Sequence, residues 1–439
     1  MNMLNLVLSF PAVFLLLFTG IYLSIKSKFL QITKFPSAIS LITMKKYRDK
    51  SFSIAALCTI IGGNLGVGNI SGTAVALKSG NPGFALWMVI VVILCSIIKY
   101  VTCYISIETR VKINKQYIGG PAIYFKHAFK TRKAVIFFTI LMLICSITIG
   151  NFVQVNSLSI PMELINKPPI IAGLFMCVVF FAVTILRLEI ITALISKLVP
   201  TMAIAYIALA SFVLYKFNEN IIPSIKLIFS NFLTFESFKS GMIGAFILET
   251  FHIIQVGTLR GIFATDIGLG LEGMVHSSIN SNSKDFNIHQ SFISLISPFI
   301  VVIITLITTL VILVTNTWLG PLESTNMCIA AFKSAFNSEY INYVIIVIMF
   351  CFSFTTIFTW FVCAKSTLYY LTDGKDTLCI KIWKILYTII IPIGALGTVQ
   401  LLWDIADISI SLILISNTVA ILVLLPKYKN IFKCSLSKE

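Results

Sequence analysis

Two short stretches carry the residues best suited to hold a charged solute, and neither relies on a catalytic side chain. Asn64-Leu65-Gly66-Val67-Gly68 sits within the apolar run SFSIAALCTIIGGNLGVGNISGTAVALKSG, and Asp266-Ile267-Gly268-Leu269-Gly270 sits late in a second long run. Both read Asn or Asp, aliphatic, Gly, aliphatic, Gly, with a further Gly soon after. Gly weakens a helix interior by about 1 kcal/mol relative to Ala, so each cluster is expected to interrupt its helix. An interrupted helix leaves unpaired N–H groups at one half-helix end and unpaired C=O groups at the other. Such donors, at the positive end of a helix dipole, suit a carboxylate. Unpaired carbonyls suit an ammonium group or a desolvated Na⁺. A zwitterionic amino acid would use both. A second reading fits the same glycines: Gly62 and Gly66, like Gly68 and Gly72, have the four-residue spacing that lets membrane helices pack closely.

The elements that must position these residues follow from composition. Of 439 residues, 58% are hydrophobic and 11% charged, against roughly 25% charged in soluble domains, so the bilayer must be the solvent. About 20 helical residues cross its hydrocarbon core. Eleven runs qualify: about 4–25, 53–77, 84–108, 134–158, 169–187, 190–215, 241–272, 290–315, 341–371, 382–401 and 407–426, those at 241–272 and 341–371 being long enough to be tilted or interrupted. Lipid demands that backbone groups pair within each segment, which predicts an all-α polytopic membrane protein. The alternating ten-residue segments of a β-barrel are not seen.

The first run lacks the basic leader and small-residue cleavage pattern of a signal peptide and is expected to be a true helix. Lys26, Lys28, Lys34, Lys45, Lys46, Arg48 and Lys50 follow it, marking 26–50 as cytoplasmic. Threading the other runs from that choice puts the basic loop around 110–133 and the tail at 427–439 inside. The links around 317–340 and 402–406 then lie outside, as does the N-terminus. The +16 formal charge thus reports topology and calls for no nucleic acid. The ten cysteines form no CxxC pair, and His252, His276 and His289 have no zinc-ligand spacing.

The two glycine clusters fall five helices apart. An odd-numbered repeat inserts in opposite orientations, as in carriers built from inverted repeats that hold substrate at their interrupted helices. The expected organisation is an extra N-terminal helix and basic loop (1–50), a five-helix repeat (51–216), a second, inverted five-helix repeat (217–426) and a basic tail (427–439).

At these residues the chain resembles the sodium:alanine (alanine/glycine:cation) symporters, which have the leucine-transporter-type fold of the amino acid–polyamine–organocation superfamily. ALCTIIGGNLGVGNISGTAVAL, GNPGFALWM, KYVTCYISIETR, YIGGPAIYF, GNFVQVNSL, LVPTMAIAYI, RGIFATDIGLG, TTIFTW and LLWDIADI are similar to the family's landmarks, in its order and spacing. The resemblance implies a cation-driven carrier of small neutral amino acids such as alanine or glycine, with Na⁺ as coupling ion and H⁺ as the alternative. It carries substrate-binding roles to Gly66, Val67, Gly68, Asn69, Gln154, Phe263, Ala264, Thr265, Asp266, Gly268, Thr356 and Trp360. The Na⁺ ligands it implies are Asn64, Leu65, Gly68, Thr355 and Thr356.

The chain departs from the family at several positions. Val67 stands where a Thr is usual, and Ala264-Thr265-Asp266 where Ser-Asn-Glu is usual. Gly80-Asn81-Pro82-Gly83, Leu86-Trp87-Met88-Val89 and Thr102 replace Gly-Gly-Pro-Gly, Phe-Trp-Met-Trp and a Glu. Each singled-out residue also has a plain structural reading. Asp266 could serve cation electrostatics, cap a half-helix starting near Gly268, or pair with Arg260. Lys99 and Glu249 would snorkel or pair. Thr355 and Thr356 could bond back to the preceding turn, Trp360 could simply pack, and Asp404 and Asp407 could cap a helix start. Rival functions are a membrane enzyme, for which no convergent catalytic group is found, a channel, for which no filter or charged ring is found, and a drifted paralogue with weak transport. No P-loop suggests ATP drive.

Overall fold

The computed structural model describes residues 3–43, 50–186, 188–233, 243–281, 285–375 and 377–432. Nearly all of these are helical, because segments apolar around their whole circumference can meet lipid only with the backbone paired internally. In chain order the main helices are α1 (Met3–Lys26), α2 (Lys50–Asn64), α3 (Ser71–Ser79), α4 (Phe84–Glu108, with a turn at Ser96), α5 (Pro121–Phe129), α6 (Arg132–Ile165), α7 (Ile170–Val183) and α8 (Leu188–Lys216). They continue as α9 (Ile221–Ser230), α10 (Ile243–Thr265), α11 (Leu271–Ser277), α12 (Phe286–Val314, with a turn at Leu295), α13 (Ser324–Phe336), α14 (Tyr340–Leu371), α15 (Leu378–Leu396) and α16 (Val399–Leu424). Eight of these stretches, α1, α4, α6, α8, α12, α14, α15 and α16, are long and apolar enough to cross a membrane.

Both glycine clusters interrupt their helices: α2 stops at Asn64 and α3 starts at Ser71, while α10 stops at Thr265 and α11 starts at Leu271. The other long run, 341–371, is one continuous helix, α14. Several segments expected to be links are structured. Leu30–Thr33 and Phe35–Thr43 are short helices, and α5, α9 and α13 occupy stretches between apolar runs. Val111–Ile113 and Gln116–Ile118 pair as an antiparallel hairpin, turned by Asn114 and Lys115 at φ 46° and 67°, the left-handed pair such a two-residue turn requires. The last apolar run begins earlier than expected, at Val399, so Asp404 and Asp407 lie inside α16 and not at its start.

The interrupted helices are central. α8 and α14 flank α2, α13 packs on α3, and α10 and α11 lie along α4. α1 lies against α16 and the first half of α4. Hydroxyls inside these helices bond back four residues, as Thr102 does to Ile98 O (2.7 Å) and Thr309 to Thr305 O (2.9 Å), which satisfies them without water. α6 contains a π-helical turn at Thr148–Phe152, where the sequence predicted a plain helix.

Candidate functional site

The first break spans Leu65–Ile70. Gly66 is extended (φ −83°, ψ −175°) and Val67–Asn69 form a single tight turn. The carbonyls left at the end of α2 find a donor in the Asn69 side chain, whose Nδ2 donates to Asn64 O (2.6 Å) and Gly66 O (3.4 Å). This amide takes the place of the backbone N–H groups that a continuing helix would supply. Thr305 of α12 donates to Asn69 Oδ1 at 2.7 Å, which orients it. Ser71 donates to Val67 O at 2.8 Å.

At the second break three residues in five are left-handed: Asp266 (φ 53°), Gly268 (83°) and Gly270 (90°). Gly tolerates this at no steric cost, and Asp better than most other residues. Gly270 is the N-cap residue of α11 and makes no side-chain cap bond, so Asp266 does not cap that helix. Asn417 of α16 donates to Gly268 O at 2.8 Å. The two breaks are joined directly, because Asn64 Nδ2 donates to Thr265 O at 3.0 Å. The glycines beside the first break serve close packing too. A Cβ on Gly62 would lie 2.7 Å from Val199 Cγ2, and one on Gly63 would lie 2.8 Å from Thr359 Cγ2.

Two polar side chains converge on the unwound chain. Gln154 Oε1 accepts from Val67 N at 3.0 Å, and its Nε2 donates to Ile149 O in the π-turn at 3.1 Å. A Cβ on Gly66 would lie 2.6 Å from Gln154 Oε1 and 2.8 Å from Thr356 Oγ1, so only glycine admits both. Phe263, near the end of α10, presses on Gly68, where a Cβ would lie 2.4 Å from its ring. Gly66, Val67, Gly68 and Asn69 are all buried.

The remaining expected residues take other partners. Thr356 donates to Gly62 O at 3.1 Å, holding α14 against α2. Thr355 bonds back to Cys351 O (3.1 Å) and Phe352 O (3.0 Å) in its own helix. Leu65 N still donates to Ile61 O, at 2.6 Å. Trp360, one turn beyond Thr356, packs on the π-turn, where a Cβ on Gly150 would lie 2.4 Å from its own Cβ. Ala264 is buried in the last turn of α10, and Thr265 Oγ1 bonds back to Gly261 O (2.6 Å). Gly268 faces Leu414. Asp266 is buried, and its Oδ2 has no hydrogen-bond partner among the described residues.

A layer beside the first break was not legible in the sequence. Arg260 forms an ion pair with Asp407, not with Asp266. Its guanidinium also lies 4.5 Å from the Trp403 ring centre. Trp403 packs against Phe263 with the rings tilted by 37° (4.7 Å between centroids) and closes against Gly72, where a Cβ would lie 2.7 Å from Cη2. Asp407 is thus no helix cap. Lys99 does not snorkel: it is fully buried and donates to Ser297 Oγ at 3.1 Å. Glu249 is exposed near the start of α10.

The arrangement therefore brings interrupted backbone, amide and hydroxyl groups together beside an aromatic and ion-paired layer. Comparison with known proteins agrees in kind. A family model described as the sodium:alanine symporter family matches residues 1–436. An uncharacterized transporter of Haemophilus influenzae is 27% identical over 419 residues, covering 94% of this chain and 90% of the relative. The probable sodium/glutamine symporter GlnT of Bacillus subtilis is 26% identical over 418 residues, 93% of this chain and 84% of its own. The sodium/alanine symporter AgcS of Methanococcus maripaludis is 26% identical over 427 residues, 93% and 90% respectively. With the family match running through both interrupted helices and every helix that packs on them, the chain belongs to the sodium:alanine symporter family.

Proposed function

We propose that this protein is a Na⁺-coupled symporter that imports a small neutral amino acid, alanine or glycine, across the cell (inner) membrane by alternating access. The organisation that goes with this reading is two inverted five-helix repeats behind α1, with the N-terminus outside and the C-terminus cytoplasmic. The observation that carries it is the pair of interruptions joined by the Asn64–Thr265 hydrogen bond. Substrate carboxylate would take the Val67 N–H now held by Gln154, next to the N-terminal end of α3, where the dipole favours an anion. The ammonium group would meet the carbonyl end of α10. Phe263 presses on Gly68 and would form the apolar wall beside the substrate's side chain, which favours a small one.

Na⁺ would lie between carbonyls at the end of α2 and hydroxyls of α14, where Thr356 already reaches Gly62 O. Ion binding there would hold α2 and α14 together and set the unwound chain for substrate. The relatives named for sodium with alanine and with glutamine support cation-coupled amino-acid transport as the general activity. The test is radiolabelled alanine and glycine uptake into proteoliposomes with and without an inward Na⁺ gradient. Accumulation that requires Na⁺ is expected. Uptake that ignores Na⁺ and follows a pH gradient would transfer the coupling to protons, and flux that never saturates would point to a channel.

A further inference from the structure

Where the packed helices α1 and α16 end, an open groove of about 200 Å³ lies between them. It is lined by Phe18, Tyr22 and Lys26 on one side and by Leu422, Leu425 and Pro426 on the other. Phe18 and Tyr22 are one turn apart, and their rings lie parallel to within 4°, 6.3 Å between centroids. Both face outward from the bundle, 54% and 41% exposed. From Phe18 to Lys26 the helix rises about 12 Å, at 1.5 Å per residue, so the groove is apolar at its deep end and charged where α1 stops. Lys26 Nζ donates to Tyr22 Oη at 3.1 Å. Among the described residues no carboxylate lies within ion-pair distance of that ammonium. Two of its hydrogens and the phenol hydrogen are therefore left for an acceptor from outside.

The surroundings carry one sign of charge. Lys427, next to Pro426, donates to His127 O at 3.1 Å, which brings α5 with Lys126 and Lys130 to the same end of the bundle. No Asp or Glu occurs in residues 1–48, 109–162 or 408–438, the stretches that supply these groups. Beyond Lys26 the chain turns through Lys28 and Phe29, at φ 56° and 55°, into the short helices Leu30–Thr33 and Phe35–Thr43. Phe29, Ile32 and Ile39 are exposed there beside Lys34, a mixture of apolar and basic side chains suited to the boundary between hydrocarbon and headgroups. The groove thus opens at headgroup level. A soluble anion would meet Lys26 and Tyr22 but leave Phe18 and Leu422 uncovered, whereas an acyl chain covers them.

We propose that the groove between the ends of α1 and α16 binds one anionic phospholipid. Its phosphate accepts from the Lys26 ammonium and the Tyr22 hydroxyl, and an acyl chain lies along Phe18 and Leu422. The lipid fastens the end of the extra N-terminal helix to the end of the last one. This site is separate from the interrupted helices and holds whatever solute they carry.

The test is native mass spectrometry of the full-length protein in detergent, titrated with phosphatidylglycerol, phosphatidylcholine or glycerol 3-phosphate. The wild-type protein should retain one phosphatidylglycerol at concentrations that leave phosphatidylcholine unbound, and should not retain glycerol 3-phosphate. Lys26→Gln should weaken that binding about fivefold. Leu422→Trp, which fills the groove without changing its charge, should weaken it too. Lys28→Gln removes an equal charge outside the groove and should change the binding much less. Equal losses in Lys26→Gln and Lys28→Gln would mean diffuse attraction to a basic surface and would overturn the proposal. So would retention of glycerol 3-phosphate as tight as that of the lipid, or equal retention of the two lipids by the wild-type protein, a result that needs no variant to fold. No transport is measured, so failure here and failure of the symport reading can be told apart.

Discussion

Adding one methyl group at Gly68 tests the closeness of the two breaks directly. A Cβ there would lie 2.4 Å from Phe263 Cδ1 and Cε1, where carbon atoms normally sit about 3.5–4.0 Å apart. The ring must therefore retreat by more than an ångström. It cannot do so freely, because Trp403 packs against it at 4.7 Å between ring centroids and Trp403 is itself wedged on Gly72. Gly68 does not have a positive φ, so the penalty of Gly68→Ala comes from contact and not from the backbone. Overpacking of this kind costs about 1–3 kcal/mol, a factor of about 5 to 150 against the arrangement in which Phe263 rests on Gly68. The assay is the initial rate of Na⁺-driven alanine uptake in proteoliposomes, normalised to inserted protein. Gly68→Ala should lose uptake by that factor, and adding Phe263→Ala should restore part of it, with a coupling of about 0.5–3 kcal/mol between the two changes. Wild-type uptake by Gly68→Ala, or strictly additive losses in the double variant, would refute the reasoning.

Trp360→Ala should raise the Km for alanine while the protein still inserts, because the indole braces the π-turn that positions Gln154; an unchanged Km in saturation kinetics would refute that bracing role. Thr356→Val should shift the Na⁺ dependence of uptake to higher concentration, since its hydroxyl reaches Gly62 O, whereas Thr355→Val should shift it less, its hydroxyl being committed to its own helix. Na⁺ titrations of the two variants decide this, and equal shifts would mean that Thr355 rotates onto the ion. Asp407→Asn leaves the buried Arg260 guanidinium uncompensated, at a cost of about 3–5 kcal/mol. Its thermal stability in detergent should fall well below that of the Arg260→Met/Asp407→Leu pair, and the opposite ranking would argue against the ion pair.

What was legible in the sequence was set by backbone chemistry. Asn64 through Gly68 and Asp266 through Gly270 could be located because glycine in an apolar run has few uses, and the long apolar runs announce helices by length alone. What stayed hidden depends on partners distant in the chain. Arg260 and Asp407 lie 147 residues apart, and only the early start of α16 places Asp407 within a helix where the two can meet. Thr305 orients Asn69 from 236 residues away and carries no local mark. Thr355 matches the family's pattern, but nothing local in its sequence marks that its hydroxyl turns back to Cys351 O and Phe352 O. Lys99 reads as a snorkelling lysine until α11 and α12 are seen to enclose it.

The π-turn at Thr148–Phe152 has a consequence for how insertions and deletions act on this chain. Each residue advances an α-helix by about 100°, and a π-turn absorbs one extra residue within a helix that otherwise keeps its course. Removing a single residue from this turn would make α6 a more regular helix with its flanking turns still on course, and yet draw the Ile149 carbonyl back into the helical ladder, away from the Gln154 Nε2 it now orients. Local regularity and the geometry of the cradle are thus in opposition here, and a shortened α6 should yield a protein that folds but grips poorly.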